Sequence, residues 1–256
     1  MLIEKENIGG VVLFSNNFMN PGQLAELVNS IQALRDEYPL FIAVDHEGGR
    51  VVRFKEFFTK IPSMLDIART KSPKLCFKVA KLMAEELSIC GINVNFSPVC
   101  DVISNKDNKV IGDRAFGTDP EIVSTFISSA IRGLQTNGVS ACAKHFPGHG
   151  DTSIDSHFNL PIIKKSLEEL EKVDLAPFVK AVKARVEFVM IAHIIIEALD
   201  ADLPCSLSPK AYQYLRKELK FSKLIITDDM QMRAIADKYS TGGAAVMAIN
   251  AGADIV

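Results

Sequence analysis

Seven short apolar runs, each separated from the next by a loop and a stretch with helical periodicity, constrain the fold of this chain more than any other feature. The runs are nearly continuous in apolar residues rather than alternating. That pattern is typical of parallel strands that are covered on both faces. The runs cover residues 9–14, 40–45, 92–99, 139–146, 187–194, 223–229 and 253–256.

Helix start signals fall between these runs. Ser166 and Glu169 form a capping box, in which each side chain satisfies a backbone N–H of the first turn, and Pro177 is expected to kink the helix that follows. Strands that alternate with helices predict a parallel α/β fold. Three further starts pair a capping residue with a proline, which is favoured in the first helical turn: Asn20-Pro21, Asp119-Pro120 and Ser208-Pro209.

Two parallel α/β architectures fit this rhythm, a closed eight-stranded barrel and an open doubly wound sheet. The chain begins in what looks like the tail of a helix and ends inside the seventh apolar run. We therefore expect a TIM-type (β/α)8 barrel, truncated at both ends so that the first strand and the last helix are missing. An open sheet is the alternative.

Charge and cysteine content limit which classes of binding partner and which cellular compartment are expected. The 256 residues carry a net charge of −2 and show no basic stripe, so neither nucleic acid nor an anionic membrane is expected as a partner. The five cysteines include no CxxC pair, which favours buried free thiols and a reducing, cytoplasmic location. The N-terminus has no apolar signal core, and the longest apolar run is too short to span a bilayer.

Ionisable residues collect where the predicted strands end. In a parallel barrel, the carboxyl ends of the strands carry the chemistry. Lys144 emerges from a buried strand and therefore needs an anionic or polar partner. Several of these residues also have a structural interpretation: Asp101 as a turn cap, His193 as a buried core histidine, and Glu47 as a partner for Arg50 or Arg53. The strand-end residues are Asp45-His46-Glu47, Asp101, Lys144-His145, His193 and Asp228-Asp229.

The segment from Lys144 to His157, KHFPGHGDTSIDSH, contains three of the five histidines. A metal site is a weak interpretation, because the spacing matches no helical two-histidine zinc pattern. A phosphate cradle is weaker, because the segment lacks the Lys-Ser/Thr ending of a P-loop. Proton transfer fits better: Asp155 and His157 can face the same side of an extended segment, so that the carboxylate orients the imidazole for acid/base work.

A carboxylate at the end of the sixth run would complete such a site. The sequence IITDDM offers Asp228 and Asp229, either of which could attack an electrophilic carbon. Because neighbouring strand residues point to opposite faces, only one of the two is expected to enter the mouth of the barrel. Spacing alone does not say which.

These motifs together resemble a known family. KHFPGHG followed by DSH, with VDHEGGRVVRF, IGDRAFG and ITDDMQM in the same chain, is similar to the β-N-acetylhexosaminidases of glycoside hydrolase family 3, of the NagZ type. The resemblance covers nearly the whole chain. It implies one catalytic barrel domain over residues 1–256 that removes terminal β-linked N-acetylglucosamine with retention of configuration.

The resemblance also implies residue roles. Asp228 would be the nucleophile, His157 the acid/base and Asp155 the residue that orients His157. The implied substrate is a muropeptide from cell-wall recycling. No cofactor or metal is implied, and a monomer is the favoured oligomeric state. The implied substrate-binding residues are Asp45, Arg53, Arg114, Lys144 and His145.

Other functions stay open at this point. The same site could use phosphate instead of water and act as a β-N-acetylglucosaminide phosphorylase. A metal-dependent hydrolase that uses the His/Asp cluster is a further alternative, as is a sugar binder without turnover. One residue departs from the family pattern, since His46 stands where most relatives are expected to carry Gln.

Overall fold

The computed structural model describes residues 2–6, 8–35, 37–152 and 160–256. Within these ranges, helices and strands alternate along the chain as the apolar rhythm predicts. The strands are β1 (Gly10–Leu13), β2 (Phe41–Val44), β3 (Val94–Asn95), β4 (Ser140–Phe146), β5 (Ile162–Ile163), β6 (Phe188–Ile191), β7 (Ile195–Ile196) and β8 (Leu224–Thr227). The α-helices are α1 (Leu2–Lys5), α2 (Pro21–Gln32), α3 (Met64–Arg69), α4 (Pro73–Ile89), α5 (Pro120–Gln135), α6 (Leu167–Lys172), α7 (Ala176–Lys183), α8 (Pro209–Gln213), α9 (Arg233–Ala236) and α10 (Thr241–Ala251).

Six of these strands form one parallel sheet in the order β1-β2-β3-β4-β6-β8. The order follows the chain without reversing, whereas a doubly wound sheet reverses at a switch point. Five of the six strands match predicted apolar runs closely, and β3 is confined to two residues of its run. The seventh run contributes a parallel bridge between Ile226 and Ile255. The structure therefore confirms the α/β prediction with six parallel strands of a TIM-type barrel.

The curled sheet separates two apolar regions. The larger one lies between the strands and the surrounding helices, among them α4, α5 and α7. The smaller one fills the concave side of the sheet and contains side chains from alternate positions of successive strands. Its buried members are Ala43, Val94, Phe96, Cys142, Phe188 and Met190.

The helix starts follow the capping chemistry that the sequence predicts. The Asn20 side chain accepts the N–H of Gln23 at the start of α2, and Asp119 caps α5 in the same way. Ser166 and Glu169 form the predicted capping box of α6.

The prediction of a kink at Pro177 is wrong. Two separate helices, α6 and α7, replace the single bent one, and Pro177 lies in the first turn of α7. That position tolerates proline, because its missing N–H would have no partner in the helix. The two-stranded sheet of β5 and β7 was also not predicted, since each strand has only two residues. No helix among the described residues is both long and apolar enough to cross a membrane.

Candidate active site

A cavity of about 780 Å³ opens at the carboxyl ends of the parallel strands. Strand ends of β2, β4 and β8 supply polar residues to its wall, and a short 3-10 turn at Gly112–Arg114 supplies another. The predicted pair Asp155 and His157 lies outside the described residues. The predicted residues that line the cavity are Asp45, Arg53, Arg114, Lys144, His145 and Asp228.

Lys144 occupies the centre of a buried ion network. Its Nζ atom is 2.8 Å from Oδ1 of Asp45 and 2.6 Å from Oε1 of Glu47. The Lys144 side chain is only 3% exposed, so a charged ammonium here depends on these two carboxylates. The prediction that Lys144 needs an anionic partner is confirmed.

Two arginines extend this network. Nε and Nη2 of Arg114 each donate to a different oxygen of Glu47 at 2.8 Å, a bidentate geometry that fixes the guanidinium plane. Arg53 donates from Nη2 to Oδ2 of Asp45 at 3.0 Å. The sequence suggests Arg50 or Arg53 as the partner of Glu47. That interpretation is wrong, because Glu47 pairs with Lys144 and Arg114. Its partners come from β4 and from the 3-10 turn, which are distant in sequence.

The network holds Asp45, Glu47 and Lys144 in their charged forms. Burial raises the pKa of Glu47, but the Lys144 ammonium and the Arg114 guanidinium outweigh this and leave the pKa well below its usual value. Burial also raises the pKa of Asp45, and Lys144 again reverses the shift. Burial lowers the pKa of Lys144, yet the two carboxylates raise it overall. The cavity wall therefore presents fixed charges that a polar ligand meets without reorganisation.

Asp101 orients His145. Oδ2 of Asp101 is 2.7 Å from Nδ1 of His145, and the carboxylate can only accept, so Nδ1 carries the hydrogen. The other ring nitrogen, Nε2, faces Nη2 of Arg114 at 3.4 Å. Burial raises the pKa of Asp101, but the His145 ring outweighs it and the pKa is lowered overall. The turn-cap interpretation of Asp101 is therefore incomplete, because the carboxylate also fixes a predicted substrate-binding side chain.

The same carboxylate anchors the glycine-rich loop. Oδ1 of Asp101 accepts the backbone N–H of His149 at 2.7 Å. Nδ1 of His149 lies 2.8 Å from the hydroxyl of Thr152, which agrees with a role in bonding within the loop. The loop passes so close to the preceding segment that a Cβ at Gly150 would collide with the carbonyl oxygen of Val102. Glycine at this position allows the approach.

Asp228 and Asp229 both border the cavity, and the expectation that only one side chain enters it stays a prediction. Both residues lie beyond the end of β8, where the alternation of a strand no longer applies. Their surroundings nevertheless differ. Asp229 is exposed, and its Oδ1 accepts the N–H of Gln231 at 2.8 Å, which closes a turn. Asp228 is partly buried, and its Oδ1 accepts the N–H of Asp229 at 2.9 Å.

The Asp228 carboxylate is kept ionised by its surroundings. Burial raises its pKa, but the imidazoles of His145 and His193, the N–H of Asp229 and the Lys144 ammonium lower it overall. An ionised carboxylate at a strand end is available either to attack a carbon or to stabilise a cation. Among the described residues, no group of three or more His, Cys, Asp or Glu side chains is arranged to hold a metal ion.

Comparison with known sequences identifies relatives along the full chain. Residues 1–256 match the family described as the glycosyl hydrolase family 3 N terminal domain. A β-hexosaminidase of Nitrosomonas eutropha is 40% identical over 256 residues, which cover 97% of this chain and 73% of that protein. A β-hexosaminidase of Methylococcus capsulatus is 39% identical, with coverage of 97% and 74%.

Solved structures agree with the sequence comparison. A family 3 β-N-acetylglucosaminidase from a Paenibacillus species superposes with a TM-score of 0.98 at 38% identity, over 99% of this chain and 49% of that one. This chain thus spans about half the length of the Paenibacillus protein. NagZ from Neisseria gonorrhoeae, in complex with N-trifluoroacetyl-D-glucosamine, superposes with a TM-score of 0.90 at 39% identity, over 97% and 73% of the two chains.

Proposed function

The chain belongs to glycosyl hydrolase family 3 as a hydrolase of the β-N-acetylhexosaminidase, NagZ type, and we propose that it removes terminal β-linked N-acetylglucosamine with retention of configuration. The observation that carries this proposal is the position of Asp228. Its ionised carboxylate lies at the end of β8 and borders the same cavity as the network of Asp45, Lys144 and Arg114.

The first half of the reaction forms a covalent intermediate. An oxygen of Asp228 attacks the anomeric carbon, the bond from that carbon to the leaving oxygen breaks, and His157 gives its proton to the leaving oxygen. Asp155 orients His157 and supports its charged form. The fixed charges of Lys144, Asp45 and Arg114 hold the sugar hydroxyls, and His145 adds a directed hydrogen bond.

The second half releases the sugar. Water attacks the same anomeric carbon, His157 takes the proton of that water, and the ester bond to Asp228 breaks. Each half inverts the anomeric carbon, so the product keeps the β configuration. The carboxylate of Asp228 and the protonated His157 are both restored.

The proposed substrate is a muropeptide fragment, N-acetylglucosamine linked to anhydro-N-acetylmuramic acid with or without peptide, and the proposed role is cell-wall recycling. Support comes from the relatives of NagZ type. The five cysteines are free and buried, which fits a reducing compartment and supports a cytoplasmic location.

Hydrolysis of 4-nitrophenyl N-acetyl-β-D-glucosaminide by matched variants tests the proposal. Asp228→Asn removes the nucleophile, and we expect kcat to fall by about 1,000-fold or more. Asp229→Asn keeps the oxygen that accepts the Gln231 N–H, and we expect turnover close to that of the wild type. Undiminished turnover by Asp228→Asn would overturn the assignment.

A further inference from the structure

His193 and Asp229 meet at the cavity end of the sheet because of strand register. β6 and β8 pair in parallel with Ile191 beside Thr227, and each residue of interest lies two positions beyond its strand. Nε2 of His193 is 2.9 Å from the carbonyl oxygen of Asp229. The His193 side chain is fully buried, so the sequence interpretation as a buried histidine is accurate but omits this contact.

The hydrogen bonds of His193 fix the orientation of its ring. A carbonyl oxygen can only accept, so Nε2 must carry a hydrogen. Nδ1 lies 2.7 Å from the hydroxyl of Ser206, which can either donate or accept and holds this side of the ring in both cases. Ser206 is itself held in place, because its carbonyl accepts the hydroxyl of Tyr212 at 2.8 Å. The ring is thus oriented from the side remote from Asp229.

The contact with Asp229 bears on the neighbouring Asp228. The N–H of Asp229 donates to Oδ1 of Asp228, and the N–H of Asp228 donates to the carbonyl of Ile191 at 3.0 Å. The carbonyl of Asp229 also accepts the N–H of Met232 at 3.0 Å. A shift of Asp229 would move the N–H that holds the Asp228 carboxylate. His193 restrains Asp229 from the opposite end of the residue.

We propose that His193 is a positioning residue for Asp228, which acts through its hydrogen bond to the Asp229 carbonyl and is itself oriented by Ser206. The proposal rests on the proposed function, in which Asp228 attacks the anomeric carbon. A nucleophile must be held within a fraction of an ångström of its attack geometry, and a displacement of about 1 Å can cost about 100-fold in rate. His193 therefore affects the chemical step and leaves ground-state sugar binding unchanged.

Three variants test this role with two readouts, kcat for the aryl glycoside and the inhibition constant of N-acetylglucosamine. His193→Phe keeps a buried ring but removes the Nε2 donor, and we expect kcat to fall by about 100-fold with an inhibition constant within about twofold of the wild type. His193→Gln can place its amide donor near the former Nε2 position. Its kcat should be about tenfold higher than that of His193→Phe. Ser206→Ala removes the hydrogen bond that orients the His193 ring. Its kcat should lie between those of the wild type and His193→Phe.

Ser208→Ala is the matched control. Ser208 is a buried serine of the same segment, but its hydroxyl donates to Oδ2 of Asp200 at 2.6 Å instead of to His193. This variant should unfold more easily and keep the wild-type kcat. An unchanged kcat in folded His193→Phe would overturn the positioning role, and so would an equal loss of kcat in Ser206→Ala and Ser208→Ala.

The two proposals fail in different ways. Wild-type turnover together with an unchanged kcat in His193→Phe would contradict the positioning role and leave the proposed function standing. Absence of turnover by the wild-type protein would overturn the proposed function, and the positioning role with it. If His193→Phe does not fold, the comparison of Ser206→Ala with Ser208→Ala decides the question alone.

Discussion

The Nζ atom of Lys144 lies 2.6 Å from Oε1 of Glu47, with both side chains almost fully buried. The pair joins β4 to the loop after β2 and borders the cavity with its charges balanced. A buried ion pair of this kind contributes little when both partners are present, but removal of one partner leaves an uncompensated charge. This asymmetry makes Glu47 a sensitive position for mutation.

Glu47→Gln should therefore destabilise the protein. Lys144 and Arg114 would each lose a buried counter-charge, and we expect the free energy of unfolding to fall by about 3–5 kcal/mol. Denaturant unfolding at neutral pH measures this change. Asp113→Asn serves as a control, because the Arg50–Asp113 pair is nearly half exposed and its loss should cost at most about 1 kcal/mol. Equal effects of the two variants would contradict this account of the network.

Asp101→Asn should disturb His145 without removing it. The amide has a single oxygen, and while that oxygen accepts the His149 N–H the NH2 group faces Nδ1, so the ring would have to move its hydrogen to Nε2, where Arg114 also donates. We expect kcat/KM to fall by about 10- to 100-fold as the ring loses its fixed orientation. Nitrogen NMR of the His145 ring would report the change of tautomer. An unchanged tautomer with unchanged kcat/KM would refute the orienting role of Asp101.

His46 should make the stability of the fold dependent on pH. Burial lowers the pKa of His46 from 6.5 to about 4, and Arg53 adds to this shift. The ring packs against Phe54 and Phe58, and its Nδ1 atom has no hydrogen-bond partner among the described residues. As pH falls from about 6.5 to about 4, the unfolded chain takes up a proton that the folded protein does not, so stability is lost in this window.

His46→Gln tests this expectation with the residue that most relatives are expected to carry. The bonds between the His46 backbone and Asn95 do not involve the ring and should persist in the variant. Between pH 8 and pH 5, the wild type should lose about 2 kcal/mol more of its unfolding free energy than the variant. Parallel stability curves for the two proteins would contradict the assignment of a buried neutral ring.

Much of this site was predictable because polar residues at the ends of apolar runs are conspicuous. Asp45 and Lys144 follow directly from that rule, whereas the choice of Asp228 over Asp229 rests on the family resemblance. Their partners do not, since the contacts of Glu47 with Arg114 and of Asp101 with His145 join segments 67 and 44 residues apart. Local spacing carries no information about such pairs.

The fold likewise has parts that the local sequence predicts and parts that it does not. Continuous apolar runs predict the strands of the main sheet. A capping residue followed by proline predicts the starts of α2 and α5. The two-residue strands β5 and β7 have no periodic signal, and Pro177 lies in the first turn of α7 instead of kinking a single helix. Sequence periodicity therefore predicts the main sheet that carries the site, but not short elements such as β5 and β7.

Lys165 should stabilise the fold through Asp174. Its Nζ atom is 2.8 Å from Oδ2 of Asp174, which is fully buried, and burial raises the pKa of this carboxyl. Lys165→Met would leave the carboxyl unpaired and should lower the free energy of unfolding by about 3 kcal/mol. Adding Asp174→Asn should recover part of the loss. The control is Lys172→Met, whose exposed partner Glu168 should make its effect smaller than about 0.5 kcal/mol.

The central claim is that Asp228 forms the covalent bond to the sugar. Incubation with 5-fluoro-N-acetylglucosaminyl fluoride, followed by peptide mass spectrometry, tests it most directly, because the fluorine at C5 slows release of the glycosyl-enzyme. We predict one label per chain, on Asp228, and no label in Asp228→Asn. A label on Asp229, or continued hydrolysis by an enzyme that never becomes labelled, would contradict the account.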